Sequence, residues 1–122
     1  DRLVAEITYR DEKPDGEARV YYRNGEIKEV FNYSNGQRDG VSKQYYSGGK
    51  LKVQKYFAKD MLQGKFRIFF ETGRLKEESF FDNNNPVGVT KGYFENGRLH
   101  YLSTYEEGML IDYEEYDEEV IE

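Results

Sequence analysis

The sequence repeats itself every 24 residues, and this period constrains the fold more than any single residue does. Each full repeat begins with a glycine, and the repeats align without a gap. The predicted organisation is one repeat array over 1–122, with a partial repeat at 1–15, full repeats at 16–39, 40–63, 64–87 and 88–111, and a partial repeat with an acidic cap at 112–122. A regular period of this length is typical of arrays in which each unit packs against its neighbours. Because an active site needs different residues at one place, the period also argues against an enzyme.

Aromatic residues are predicted to supply most of the buried surface. The chain has 12 Tyr and 8 Phe but no Trp, and aliphatic residues are scarce. It has no Cys, which excludes disulfides and thiolate chemistry within this chain. The formal net charge of −6 comes from the tail, because residues 112–122 hold seven acids and no base. The remaining 17 acids and 18 bases leave the repeats close to neutral.

Each repeat carries a turn pair at positions 9 and 10, counted from its opening glycine. The pairs are Asn24-Gly25, Gly48-Gly49, Thr72-Gly73 and Asn96-Gly97. Asn-Gly and Gly-Gly favour a two-residue type I′ hairpin turn, in which both central residues have positive φ, and Thr72 suits such a turn least. This turn predicts that the ring at position 7 faces the Ile or Leu at position 12, and that the opening glycine faces the ring at position 18. The glycine is expected to leave room for that ring or for a close approach of chains.

The predicted fold is all-β, an elongated single-layer antiparallel β-meander built from tandem β-hairpin repeats. Eight to ten short strands are expected, with a six-residue link at positions 19–24 between hairpins. Such an array leaves an open edge at each end, and open edges invite pairing with another chain. Residues 3–9 are predicted to pair with the first full hairpin. The acidic tail is predicted to protect the other edge by adding a last strand or by charge repulsion, so edge-to-edge self-association is expected to favour the N-terminal end.

One sheet face is predicted to carry a row of rings between two rows of bases. The rings, at position 6, are Tyr21, Tyr45, Phe69 and Tyr93. The bases are Arg19, Lys43, Arg67 and Lys91 at position 4, and Lys28, Lys52, Lys76 and His100 at position 13. A face kept soluble by its charges is the simpler interpretation. The functional one is a protein-binding surface on which the rings supply contact area and the bases steer an acidic ligand. The alternative function is recognition of an anionic lipid or membrane surface by the basic rows.

The string G-x-x-x-x-[YF]-[YF]-x-x-G-x-[LI] recurs four times and resembles the MORN (membrane occupation and recognition nexus) repeat. It is carried by Gly16/Tyr21/Tyr22/Gly25/Ile27, Gly40/Tyr45/Tyr46/Gly49/Leu51, Gly64/Phe69/Phe70/Gly73/Leu75 and Gly88/Tyr93/Phe94/Gly97/Leu99. The closer likeness is to the bacterial variant that often bears an antitoxin label. This resemblance implies an extended array of β-hairpins that mediates protein association or, in some members, lipid contact. The kinase name that some members bear finds no support, since no P-loop or protein-kinase motif occurs here.

The sequence predicts no catalytic residue, cofactor or metal ion. His100 is the only histidine and takes a place that is Lys in the other repeats, so it is interpreted as a surface base. Glu29 and Glu77 share a position but lie four strands apart, roughly 19 Å, whereas glycosidase carboxylates lie about 5–9.5 Å apart. The segment 82–85 has oxygen ligands for Ca²⁺ but lacks the glycine and distal Glu of an EF-hand loop, so a polar turn is favoured.

Partner class and compartment are only loosely constrained by the sequence. Nucleic acid is an unexpected partner, because the repeats are near neutral and the tail is acidic. No stretch approaches the about 20 apolar residues of a membrane-spanning helix. The chain begins at Asp1 rather than Met, so a secreted or cell-envelope protein that has lost a signal segment and a cytoplasmic protein are both compatible with the sequence.

Overall fold

The computed structural model describes residues 4–118, which form one antiparallel sheet of twelve strands. The strands are β1 (Ala5–Arg10), β2 (Lys13–Tyr21), β3 (Ile27–Ser34), β4 (Gln37–Arg38), β5 (Gly40–Tyr45), β6 (Leu51–Ala58), β7 (Met61–Phe69), β8 (Leu75–Asp82), β9 (Asn85–Pro86), β10 (Gly88–Tyr93), β11 (Leu99–Glu106) and β12 (Met109–Glu115). Neighbours in the sheet follow the chain order, so the sheet is a meander.

The sheet is a single layer. Ten strands form its main path, while the two-residue strands β4 and β9 pair with β3 and β8 beside that path. No helix occurs in residues 4–118. The accessible surface is 8427 Å², against about 6,900 Å² expected for a compact protein of this mass. The excess follows from two open faces, and the predicted all-β hairpin meander is confirmed.

The loops at positions 8–10 have three residues and are not the predicted two-residue turns. In the first repeat the amide of Tyr22 donates to the carbonyl of Glu26, and the amide of Gly25 donates to the carbonyl of Tyr22. The same two bonds recur in the other three repeats. Gly25 has the predicted positive φ, 92°, but Asn24 and Thr72 do not share it. A turn followed by a left-handed glycine is a common three-residue hairpin connection, so Thr72 is not strained.

This loop shifts the register by one residue next to the turn. Val20 faces Glu29 as predicted, but the next pair is Tyr21 with Ile27, across a β-bulge. Position 12 therefore faces the ring at position 6 and not, as predicted, the ring at position 7. The other three hairpins have the same shift at the same place.

Two-residue turns do occur, but at positions 20 and 21, inside the segment that was predicted to be a six-residue link. Asn35 and Gly36 both have positive φ, 50° and 85°, and the flanking Ser34 and Gln37 pair directly. Both central residues also have positive φ at 11–12, 59–60, 83–84 and 107–108. These are the dihedral signs of type I′ turns. The prediction of a six-residue link is therefore wrong, and tight turns connect the strands along both sides of the sheet.

The opening glycines face the position-18 rings, as predicted. Gly16 faces Tyr33, and the three later repeats form the equivalent pair. The glycines are not needed to leave room for the ring or for a close approach of chains, as was expected. A Cβ added at Gly40, Gly64 or Gly88 would meet no atom within 4 Å. These four glycines have φ between 69° and 98°. Glycine is needed for that left-handed conformation, at the point where pairing between repeats becomes irregular.

A stripe of small and aromatic side chains along one face takes the place of a core. Its most buried pair is Ala18 and Phe31, 0% and 5% exposed, which face each other across β2 and β3. Rings and cations then alternate along the array in a run of contacts, which we term the central stack. It runs Tyr33–Phe31 at 5.4 Å, Arg38 over Phe31 and Phe57 at 4.3 and 5.5 Å, Lys55 over Phe57 and Phe66 at 5.6 and 5.7 Å, and Phe66–Phe81 at 5.5 Å. Cations lie between the rings of this stack. The prediction that aromatic residues supply most of the burial is not confirmed, because Phe31 is the only ring among the buried side chains of residues 4–118, and the other rings of the stack are half-buried.

Both end segments pair with the array. Strand β1 pairs with β2, with Ile7 facing Ala18, which confirms the predicted pairing for the described part of 3–9. At the other end β12 pairs with β11, with Tyr113 facing Ser103. Of the two alternatives for the acidic tail, a last strand is the one observed. Leu3 and the tail residues 119–122 lie outside the described residues.

Candidate protein-binding surface

A basic side chain lies over an aromatic ring in each of the four repeats. The ring is at position 7 and the base at position 13. The ammonium groups of Lys28, Lys52 and Lys76 lie 5.7, 5.5 and 5.6 Å from the ring centroids of Tyr22, Tyr46 and Phe70. In the fourth repeat His100 stacks on Phe94, with centroids 4.0 Å apart and planes inclined at 24°. These four pairs form a surface that we term the base–ring row.

The register shift beside each loop explains this pairing. The sequence placed the position-13 bases opposite the rings at position 6. Because Ile27 takes the place opposite Tyr21, Lys28 lies over the ring of Tyr22 instead. The structure thus brings the position-13 bases together with rings that the prediction assigned to the opposite face.

Two rings of the row are tied to the next repeat by their hydroxyl groups. Tyr22 donates to the carbonyl oxygen of Tyr45 at 2.6 Å, and Tyr46 donates to that of Phe69 at 2.7 Å. Phe70 and Phe94 hold the same position without a hydroxyl group. All four rings are partly exposed. These two bonds tie the first repeat to the second and the second to the third.

A cavity of about 300 Å³ lies between the first two pairs of the row. Its lining residues are Val20, Tyr22, Lys28, Glu29, Gln44, Tyr45 and Lys52. The carboxylate of Glu29 accepts a hydrogen bond from Gln44 Nε2 at 2.8 Å across the repeat boundary. Among the predicted position-6 residues, Tyr45 contributes to this lining, and its backbone carbonyl accepts the Tyr22 hydroxyl. This volume is at the lower limit of ligand pockets and is suited to one or two side chains of a partner.

The predicted bases at position 4 accompany the position-6 rings rather than the row. Tyr21 donates a hydrogen bond to Glu6, which is the main cause of the raised pKa of its hydroxyl group. Arg19 pairs with Glu17, a contact that raises its guanidinium pKa. Arg67 Nε lies 2.7 Å from Glu78 Oε2. Two of the four position-4 bases therefore have an acidic partner, which weakens this side as a site for an acidic ligand. The other two are Lys43 and Lys91, and the remaining position-6 rings are Phe69 and Tyr93.

The repeat unit matches a known family model. The model described as MORN repeat variant matches residues 14–35, 38–59, 62–83 and 86–107, well over half of the chain. The chain belongs to the MORN repeat variant family. Each MORN match contains one three-residue loop with the strand on either side, and ends in a two-residue turn. The chain has no match among curated proteins. MORN repeats are commonly modules of protein or membrane interaction.

The fourth MORN repeat differs from the others in a cluster around Tyr101 that was not predicted from the sequence. The ring of Tyr101 lies over Gly92, where a Cβ would overlap it, and its hydroxyl group donates to Glu77 of the preceding repeat. Burial, followed by the contact with Glu77, raises the Tyr101 pKa. Tyr101 also stacks against Tyr113 of the last strand, with centroids 6.1 Å apart. His100 Nε2 lies 3.5 Å from Glu115, so the row already has an acidic neighbour at this end.

Charge is distributed unevenly between the side of the MORN array that carries the three-residue loops, which we term the loop edge, and the rest of the chain. The segments 23–28, 47–52, 71–76 and 95–100, which hold the three-residue loops and the row's bases, carry seven Lys and Arg against three Glu. The rest of the chain carries 11 bases and 21 acids. One of the three, Glu26, accepts hydrogen bonds from the Gly48 amide and from Asn24. The loop edge is therefore electropositive in a protein whose net charge is negative.

The remaining candidates for chemistry have structural partners. Asn84, from the segment considered for Ca²⁺, forms part of a two-residue turn, and its Oδ1 accepts a bond from the Leu62 amide at 2.7 Å. Residues 4–118 contain no group of three His, Asp or Glu side chains placed to hold a metal ion. Within the same residues there is no helix long and apolar enough to cross a membrane.

Proposed function

We propose that this protein is a non-enzymatic MORN module that binds a protein partner along the base–ring row. The observation that carries the proposal is that all four repeats place a base over a partly exposed ring. Aromatic side chains are enriched at protein interfaces, and bases beside them steer an oppositely charged partner. A contact surface repeated four times suits an extended partner rather than a compact substrate.

The charge of the row supports an acidic partner. Lys28, Lys52 and Lys76 have no acidic side chain within ion-pair distance in residues 4–118. Their ammonium groups are exposed, yet the rings below hold them in a line. A partner that supplies carboxylates can therefore bind without first breaking an ion pair, and the bases accelerate its approach.

Recognition of an anionic membrane surface is the alternative function. It would use many bases on one broad surface, because each Lys or Arg near an anionic bilayer contributes only about 1 kcal/mol. Here the row presents one line of bases rather than a broad basic surface, and the residues outside the loop segments carry 21 acids against 11 bases. This distribution favours a protein partner over a lipid surface.

The test is capture of partners by charge-matched variants of the full chain. Replacing Lys28, Lys52 and Lys76 together with Gln removes the three unpaired charges of the row. A matched control replaces Lys43, Lys65 and Lys91 with Gln, and so removes three lysines from positions 2 and 4. Both variants and the unaltered chain are incubated with a lysate and, separately, with phosphatidylserine vesicles, after circular dichroism shows that each is folded.

The proposal predicts that a protein captured by the unaltered chain and by the control variant is lost with the row variant, and that vesicles bind none of the three chains. Equal capture by both variants would place the contact elsewhere. Sedimentation with vesicles that depends on the row lysines would favour the membrane alternative.

A further inference from the structure

We infer that the row is built for an acidic segment in the polyproline II conformation, with one carboxylate every third residue. This inference rests on the proposed function and specifies the chemistry and conformation of the partner. Its basis is the spacing of the row together with its charge. The three lysines, which have no acidic partner in residues 4–118, and His100, which has Glu115 beside it, lie on β3, β6, β8 and β11. In each case one strand of the main path separates neighbours in this series.

The spacing of the bases follows from the sheet. Adjacent strands lie about 4.8 Å apart, so successive bases repeat at about 9.6 Å. A polyproline II helix has three residues per turn and rises about 3.1 Å per residue. Every third side chain therefore points to the same side, at a spacing of about 9.3 Å. Over the three intervals between Lys28 and His100 the two periods diverge by only about 0.9 Å. The flexible lysine side chains can absorb that difference.

Other regular conformations fit the row less well. In an extended β-strand one side repeats every two residues, about 6.7 Å, and a residue three places on points to the opposite side. An α-helix presents nearly the same side every seven residues, about 10.5 Å, and diverges from the row by about 2.7 Å over three intervals. Neither places one carboxylate at every base.

The space between the bases suits the rest of such a segment. The cavity of about 300 Å³ between the pairs Tyr22/Lys28 and Tyr46/Lys52 is lined by apolar Val20 and by Tyr22 and Tyr45 as well as by polar groups. Prolyl rings pack well against aromatic side chains, and a preformed polyproline II helix loses little entropy on binding. An acidic residue followed by two prolines would therefore place its carboxylate on a base and its prolines between successive pairs.

The test uses labelled synthetic peptides and fluorescence anisotropy with the full chain. The first peptide has four Glu-Pro-Pro triplets. The second has the same composition with its four Glu in one block, and the third has four Glu-Gly-Ser triplets, which keep the spacing but are flexible. We expect the first to bind about tenfold more tightly than either of the others, by analogy with the gain from preorganisation. That preference should be lost in the variant with Gln at Lys28, Lys52 and Lys76, and kept in the variant with Gln at Lys43, Lys65 and Lys91.

The outcomes separate this inference from the proposed function. Equal binding of the periodic and block peptides would overturn the inference, because charge alone would then explain the affinity. Absence of binding by the Glu-Pro-Pro peptide would overturn it as well, even where the row lysines are required for capture of a protein. The proposed function itself fails only if that capture does not depend on the row.

Discussion

The backbone amide of Leu62 donates to the side-chain oxygen of Asn84 at 2.7 Å, and the amide of Asn84 donates back to the carbonyl of Leu62 at 3.0 Å. Asn84 is the second residue of a two-residue turn, and Leu62 follows the equivalent turn of the preceding repeat. This reciprocal pair links two neighbouring turns along one edge of the sheet. Arg38 and Asp60 form the same two bonds one repeat earlier, at 2.7 and 2.9 Å.

At two places along the sheet a proline and a glycine replace the two residues that form these bonds, and the two replacements offset each other. Gly36 has no side chain to accept a bond, and the residue at the Leu62 position of the preceding repeat is Pro14, which has no amide hydrogen. The remaining bond, from the Gly36 amide to the Pro14 carbonyl, is kept at 2.8 Å. Pro86 and Gly108 occupy the equivalent positions at the end of the array. In both pairs the missing donor is matched by a missing acceptor, so no buried group is left without a partner by the change.

Replacing Asn84 with Gly should therefore destabilise the fold. The glycine keeps the positive φ of 72°, so the loss isolates the side-chain acceptor of the Leu62 amide. We expect a loss of about 1 kcal/mol in the free energy of unfolding, measured by urea denaturation. Asn84→Asp, which keeps the acceptor and matches Asp60, should lose less than half of that. Equal losses for the two variants would show that the hydrogen bond contributes nothing.

Gly92 should tolerate no side chain while Tyr101 is present. A methyl group at Gly92 would overlap the Tyr101 ring, so Gly92→Ala is expected to cost about 1–3 kcal/mol as an overpacked site. In a Tyr101→Val background the same substitution should cost almost nothing. The double-mutant cycle, followed by thermal or urea unfolding, measures this coupling. Additive effects would mean that the ring does not lie over Gly92.

Gly49 tests the three-residue loop. Its φ is 95°, a conformation that a β-branched residue resists, so Gly49→Val should cost more than about 1 kcal/mol. Gly49→Asn should cost less, because Asn tolerates left-handed φ better. An unchanged denaturation midpoint for the valine variant would contradict the loop geometry.

Tyr101 should make the stability of the protein sensitive to alkaline pH. Burial and the contact with Glu77 raise its pKa in the folded state above the unfolded value of about 10. The unfolded chain therefore loses this proton first, and the stability that Tyr101 contributes is complete below about pH 10 and declines as the pH rises above it. Tyr101→Phe should lose less stability between neutral and alkaline pH than the unaltered chain does. Tyr9→Phe, at a position 60% exposed, is the control, and identical pH dependence of both variants would contradict the prediction.

Much of the fold was predictable because its signals are local. The repeat, the hairpins and the positive φ of Gly25 and its equivalents depend on residues close together in the chain. The turn at Asn35 and Gly36 was assigned to a link despite its Asn-Gly signal. The equivalent turn at Lys59 and Asp60 has no such signal, and it is held by the bond between the Asp60 carboxylate and the Arg38 amide of the preceding repeat. Such a contact appears only when the repeats are stacked.

The surface was predicted less well, because one shift in register changes which side chains meet. The bases at position 13 were expected beside Tyr21 and its equivalents, and the bulge brings them over Tyr22 and its equivalents instead. A three-residue and a two-residue loop share the same Asn-Gly signal, so the residues alone did not decide between them. The contact of Gly92 with Tyr101 could have been predicted, because the residues at positions 5 and 14 both differ in the fourth repeat from those in the other three.

The most direct test of the base–ring row is the binding kinetics of an identified partner at two ionic strengths. Lys52→Glu should slow association severalfold at low salt and less at high salt, because the lysine acts by steering. Phe70→Ala should instead accelerate dissociation by about tenfold, because the ring supplies buried contact area. Lys43→Glu and Phe69→Ala, from positions 4 and 6, should change neither rate appreciably. If that second pair of variants impairs binding while the first pair leaves it unchanged, the contact surface is the opposite face of the sheet and the account of the row is wrong.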